Sequence, residues 1–166
     1  PIVYGSSEFG IARNMGVSVQ EAKAWQTKFF KLYPGVRKAM EDTRKELAAN
    51  SVVRTLMGRI RRFPDYSKLP EYAKGDLPCK SRCVRQAFNF KIQGFSADQI
   101  KIAAAKARKY GLKVLLIVHD EIVCECDSKS AAGSARILQK SMEEAVSLSV
   151  SFISDVKIGQ SYTDLK

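Results

Sequence analysis

Leu112-Lys113-Val114-Leu115-Leu116-Ile117-Val118-His119-Asp120-Glu121-Ile122-Val123-Cys124-Glu125-Cys126 is the stretch on which the fold turns. Its first half is a near-continuous run of Val, Leu and Ile, the composition of a buried strand. His119-Asp120-Glu121 interrupts the run, and Ile122 to Cys126 resumes with alternating character. The pattern predicts a tight hairpin with three chemically capable side chains at or near its tip. Two readings are open at this point. Turns select polar residues for their own conformational needs, and a rigid strand pair also holds a carboxylate within the tolerance that metal chemistry demands.

Helical patterns flank this hairpin. Upstream, the sequence predicts a helix over 79–93, a break at Gly94, and a second helix over 96–109 that Tyr110-Gly111 ends. Downstream, 130–148 is helical with Ala135, Leu138, Met142 and Val146 on one face. Residues 151–158 alternate as a final strand. Nearer the start, 6–15 carries a helical pattern with Gly16 past its end. Ser18-Val19-Gln20-Glu21 then has the form of a capping box. It opens a helix whose Ala22, Trp25, Phe29 and Leu32 recur at core-facing spacing until Pro34-Gly35 stops it. A charged helix over 36–49 presents Val36, Met40 and Leu47. Residues 51–63 read as a hairpin turning near Met57-Gly58, and 64–78 as a turn-rich surface loop. The expected architecture is α+β, a small antiparallel sheet of about three strands backed by helices.

At 166 residues the chain is long enough to bury a core of its own. Its 28 Lys and Arg stand against 17 acids, a net charge of +11, which calls for a polyanionic partner. No apolar run approaches the roughly 20 residues of a membrane span, and no signal peptide is visible. The basic residues alternate with aromatics and turn residues instead of lining one amphipathic helix, so nucleic acid is favoured over a membrane surface. Cys79, Cys83, Cys124 and Cys126 lack the short-knuckle spacing of a zinc site and read as reduced thiols of an intracellular protein. The sequence opens on Pro1-Ile2-Val3-Tyr4-Gly5 instead of Met, as a stretch entered mid-protein would.

Two further groups of residues bear on that partner. Arg85, Asn89 and Gln93 are spaced by four, and each step turns the helix direction by only about 40°, so they share one face. Such a face offers donors to the purine N3 and pyrimidine O2 acceptors of a minor groove, which every correct base pair presents. A solvated helix stripe would look the same. Arg59, Arg61 and Arg62 crowd the return strand of the 51–63 hairpin. They suit phosphate contact or a basic edge strand equally.

Together these residues resemble the C-terminal part of family A DNA polymerases, over essentially the whole chain. Tyr4-Gly5 is similar to the end of the family's motif B, and Tyr33-Pro34-Gly35-Val36 and Thr55-Leu56-Met57-Gly58-Arg59 to segments that follow. Arg61-Arg62-Phe63-Pro64-Asp65 continues the second of these. Arg85, Gln86, Ala87, Asn89, Gln93, Gly94, Ala97 and Asp98 resemble its R-x-A-x-N-x-x-x-Q-G-x-x-A-D pattern. Val118-His119-Asp120-Glu121 resembles motif C. The order of four motifs is far more specific than any one of them.

The resemblance implies a small antiparallel palm sheet with a metal-site hairpin, packed against several helices that include the C-terminal part of the fingers. Residues 1–50 would end the fingers. Residues 51–166 would form the palm portion, with a template/primer-contacting helix at 79–93 and the motif C hairpin at 113–126. Asp120 would ligate two catalytic Mg²⁺ ions, Glu121 would assist, and His119 would lie near the primer's terminal phosphate. Arg85, Asn89 and Gln93 would read the primer–template terminus. Tyr4 would occupy the template-base position before closure, with Gly5 leaving room for it, and Arg59, Arg61 and Arg62 would contact DNA.

The implied activity is deoxynucleotidyl transfer to a primer 3′-hydroxyl, from deoxynucleoside triphosphates, by a cytoplasmic enzyme at the site of DNA replication with no membrane partner. The motif A aspartate, the triphosphate-binding residues and the thumb have no counterpart in these residues. Activity would therefore require a second polypeptide carrying the N-terminal half, or the missing upstream part. Glu125, on the outgoing strand, is a poor candidate for the second carboxylate. A non-catalytic DNA-binding or assembly fragment of a replication complex is the alternative. A phosphohydrolase built on His119-Asp120 would need more His ligands, and the chain has one His.

Overall fold

Two serines open the first helices. In the computed structural model, which describes residues 2, 5–64, 66 and 82–165, the Ser7 side chain accepts from the Gly10 amide at the start of α1 (Glu8–Met15). Ser18 heads α2 (Val19–Leu32) with the predicted capping box. Its hydroxyl accepts from the Glu21 amide at 3.2 Å while the Glu21 carboxylate accepts from the Ser18 amide at 3.0 Å. Pro34 starts α3 (Pro34–Asn50), where its missing N–H is no loss.

The described residues divide into two compact units, Pro1–Phe95 and Ser96–Lys166. In the first, Ile11, Ala12 and Ala22 form a small apolar cluster. Of the α2 face expected from Ala22, Trp25, Phe29 and Leu32, Ala22 is buried as expected but Trp25 and Leu32 are exposed. The buried line is Ala22 and Gln26, one turn apart, and the Gln26 amide donates to the Ser6 carbonyl at 3.0 Å. A small residue and a hydrogen-bonded polar one let α1 approach more closely than Trp would.

The larger cluster of this unit unites Leu47 of α3, Val53 and Phe63 of the hairpin, Tyr66, and Val84 and Ala87 of the next helix. Burying a side chain such as Leu47 is worth about 2 kcal/mol. The hairpin is as expected: β1 (Val52–Arg54) runs antiparallel to β2 (Ile60–Arg62), with Val52 opposite Arg62. Most of the 64–78 loop lies outside the described residues.

Helix α4 runs without a break from Arg82 to Lys109, where two helices parted by Gly94 were expected. A helix-interior glycine costs about 1 kcal/mol against alanine, and packing accounts for this one. A Cβ on Gly94 would stand 2.7 Å from Cγ2 of Thr55 and 3.3 Å from the Phe90 ring. The glycine is there to admit a neighbour, and the helix passes through it.

In the second unit, α4 ends in a Schellman motif. Gly111 has φ +89°, the Leu112 amide donates to the Ala107 carbonyl and the Gly111 amide to that of Arg108. The chain then enters β3 (Lys113–Val118) and β4 (Glu121–Glu125), an antiparallel pair. After a turn of 3₁₀ helix at Ser128–Ser130 comes α5 (Ala131–Glu143), shorter than the predicted 130–148. Ala103, Ala104, Ile122 and Ala145 are buried together, with Leu138, Met142 and Val146 packed on them as the α5 pattern predicts.

Two expectations for this unit are corrected. The β3 run is not buried: Leu115, Leu116 and Ile117 are 50%, 48% and 46% exposed. Ile122, Val114 and Cys124 pack on α4 and Ala145, but Leu115, Leu116 and Ile117 lie outside that cluster of described residues. Nor is 151–158 a strand. The backbone polar groups of Ser154 are taken by α5 side chains, its amide donating to Glu143 at 3.0 Å and its carbonyl accepting from Gln139 at 3.0 Å. Those bonds replace a ladder. The fold is α+β, with two two-stranded antiparallel sheets among the described residues.

Candidate functional site

The β3–β4 pairing runs up to Val118 opposite Glu121, which leaves His119 and Asp120 as a two-residue loop. His119 has φ +55°, a positive φ of the kind that tight hairpin loops require. A non-glycine residue there carries strain that the strands on both sides impose. Asp120 is thereby held at the tip with its side chain exposed, and Glu121 follows as the first residue of β4, also exposed. The ladder shifts register between Val114 and Leu116, so an irregularity bends β3 midway to the tip.

Beside the tip lies an open groove of about 800 Å³ that Asp120 and Glu121 help to line. Ile100, Ala103 and Met142 form part of its wall, and Glu143 and Asp155 add two further acids. Glu143 is committed to the Ser154 amide. Asp155 was not singled out by the sequence reading. Its one signal is its position in the alternating stretch 151–158, where a polar residue among apolar ones reads as an outward strand position. Glu125 stands at the far end of the hairpin, opposite Lys113 and 2.8 Å from its ammonium. An ion pair there keeps it from the tip.

Asp120 and Glu121 are hard oxygen donors, the kind magnesium takes. Among the described residues no group of three His, Cys, Asp or Glu side chains is arranged to hold a metal. Asp120 and Glu121 by themselves do not complete such a site. Cys83, Cys124 and Cys126 are free thiols, and burial, with Cys126 nearby, pushes the Cys124 thiol up. A protonated thiol is a poor ligand and a poor nucleophile. Cys79 lies outside the described residues.

In the first unit, Arg85, Asn89 and Gln93 fall on one face of α4, with Arg85 half-buried and Asn89 and Gln93 exposed. The hairpin arginines differ from one another. Arg59, Arg61 and Arg62 are all exposed, but the Arg61 guanidinium lies 5.0 Å from the Phe63 ring centroid and 5.8 Å from that of Phe90. Stacking fixes Arg61 through its flat face and leaves its edge to donate. Gly5 is buried with φ +76°, and its amide donates to the Ile2 carbonyl at 2.9 Å. Tyr4 lies outside the described residues. No helix among the described residues is long and apolar enough to cross a membrane.

The sequence profile described as DNA polymerase family A matches residues 1–164. The chain is 35% identical over 171 aligned positions to DNA polymerase I of Streptococcus pneumoniae, covering 99% of this chain and 19% of that protein. It is likewise 35% identical to DNA polymerase I of Bacillus subtilis, with the same coverage. The thermostable DNA polymerase I of Thermus aquaticus is 31% identical over 99% of this chain and 20% of its own length. Among solved structures, the POL domain of Pol1 from M. smegmatis in complex with DNA primer-template and dNTP superposes with a TM-score of 0.76. That match has 28% identity and covers 90% of this chain and 26% of the other. The chain thus spans about one fifth of the length of these curated relatives.

Proposed function

The chain belongs to DNA polymerase family A, and on that footing we propose that it is the C-terminal portion of a template-directed DNA polymerase. Residues 1–50 end the fingers and 51–166 form the palm portion. The motif A carboxylate, the triphosphate-binding residues and the thumb come from outside these 166 residues, supplied by a second polypeptide or by an upstream stretch. Its partners are primer–template DNA and deoxynucleoside triphosphates, and it works inside the cell where DNA is replicated. The observation that carries this reading is Asp120, fixed at the two-residue tip of β3–β4 in a chain matched to the family from residue 1 to 164.

In this reading Asp120 is one of the carboxylates that hold two magnesium ions, and Glu121 adds negative charge beside it. When bound, those ions supply the Lewis acid that makes the primer 3′-hydroxyl a nucleophile and steadies the leaving pyrophosphate. His119 lies near the terminal phosphate of the primer. Arg85, Asn89 and Gln93 bond to minor-groove acceptors that every correct pair presents alike, which suits an enzyme that must copy any sequence. Arg59, Arg61 and Arg62 meet the phosphate backbone, with Arg61 already oriented by its stack on Phe63 and Phe90. Tyr4 and Gly5 serve the template-base position.

The second reading is a DNA-binding or assembly fragment with no catalytic role. It draws on the want of a third donor beside Asp120 and Glu121 among the described residues. Primer extension with magnesium and all four deoxynucleotides separates the two, run with this chain alone and with the complementary part of the polymerase. Extension only by the combination supports the polymerase. DNA binding without extension in either supports the fragment.

A further inference from the structure

The β1–β2 hairpin is fastened to α4 at three points, all within the first unit and all at or between positions 90 and 94 of the helix. Glu46 of α3 accepts from the Arg54 amide at 2.8 Å and pairs with Lys91. The Arg61 guanidinium lies over the Phe90 ring. Thr55 fills the place where Gly94 has no side chain, its Cγ2 2.7 Å from where a Cβ would be. These contacts straddle Gln93 and adjoin Asn89.

Thr55 has nowhere to retreat. It is 5% exposed. Its amide donates to the Arg59 carbonyl at 2.9 Å, its carbonyl accepts from Gly58 at 2.9 Å, and its hydroxyl accepts from the Arg59 amide at 3.1 Å. The residue that meets Gly94 therefore also sets the turn carrying Arg59 into β2. Any displacement of the helix at 94 passes directly to the arginine hairpin.

We propose that Thr55 and Gly94 are positioning residues. Their contact sets the spacing between the arginines of the hairpin and the polar face of α4, so that phosphate contacts and minor-groove readers engage one primer terminus in register. This rests on the polymerase reading above. A side chain that reads a base pair by hydrogen bonds loses its advantage when displaced by about 1 Å. The effect falls on the matched terminus, where those bonds exist.

The test uses the complete polymerase with Gly94→Ala, Thr55→Ser and the double variant, measuring kcat and KM for extension of matched and mispaired termini. Gly94→Ala is expected to lower kcat on the matched terminus about tenfold, with smaller loss on the mispaired one and DNA affinity retained. Thr55→Ser removes Cγ2 but keeps the hydroxyl that Arg59 uses, and it should narrow the same ratio several-fold. In the double variant the new methyl occupies the vacated space, and the ratio should recover.

Equal losses on both termini, an unchanged ratio, or no recovery in the double variant would overturn the proposal. Should Gly94→Ala fail to fold, Thr55→Ser alone decides, since it opens space without a clash. A wild-type assembly that extends no primer would remove the polymerase reading itself and this proposal with it. Wild-type extension with indifferent variants removes the proposal alone.

Discussion

Asp120 is held by what its neighbours do. His119 takes the positive φ of the loop, and Val118 and Glu121 close the ladder on either side. Asp120→Asn keeps the shape and removes the charge, so nucleotide addition by the complete polymerase should fall at least about a hundredfold, with DNA binding kept. Turnover near the wild-type rate would exclude Asp120 from the metal site. His119 bears a separable load. A left-handed backbone costs a residue with a Cβ roughly 1–2 kcal/mol. His119→Gly should therefore leave stability level or raise it by up to about that much in urea unfolding, and the β-branched His119→Val should lower it. If Val matches the wild type, the strain assigned to this turn is absent. The tip was legible in the sequence because three polar residues break an apolar run. Its strain was not, because φ is set by the two-residue register of the strands.

At the scale of elements, the α2 cap shows a contribution that pH can remove. The Ser18 hydroxyl and amide hold the Glu21 carboxylate below the usual glutamate range. A carboxylate whose folded pKa is depressed contributes stability that is fully present above its unfolded pKa and is lost as the pH falls through the folded one. The wild type should therefore melt above Glu21→Gln at neutral pH, and the gap should close on acidification through the glutamate range. A gap that stays constant with pH would assign it to something other than the carboxylate. The capping box was readable because its partners are three residues apart. The fate of Gly94 and of 151–158 was not, because it depends on Thr55 in the one case and on Gln139 and Glu143 in the other.

For the whole molecule the dominant quantity is charge. With twenty-eight basic residues against seventeen acidic ones, the DNA binding proposed above would be an ion-exchange process. Raising the salt from about 50 to about 200 mM should weaken binding by roughly a hundredfold or more, as a protein neutralising several phosphates does. Binding indifferent to salt would mean that the excess charge does not meet the backbone. The half-exposed Leu115, Leu116 and Ile117 belong to this scale too. A chain spanning one fifth of its relatives carries a strand whose composition suits burial, and the proposed remainder of the polymerase is what would cover it.

The sequence by itself determined the α+β class, the two hairpins, the helix caps and the place of Asp120 at a tip. These follow from periodicity, turn chemistry and motifs whose members lie within a few residues of one another. The tertiary structure decided the rest: an unbroken α4, a half-exposed β3, a polar Gln26 in place of Trp25 on the buried face of α2, and a 151–158 segment whose Ser154 backbone is bonded by α5 side chains instead of a strand. Each depends on a partner far away in the sequence, or on the lack of one among the described residues, and local pattern carries no record of either.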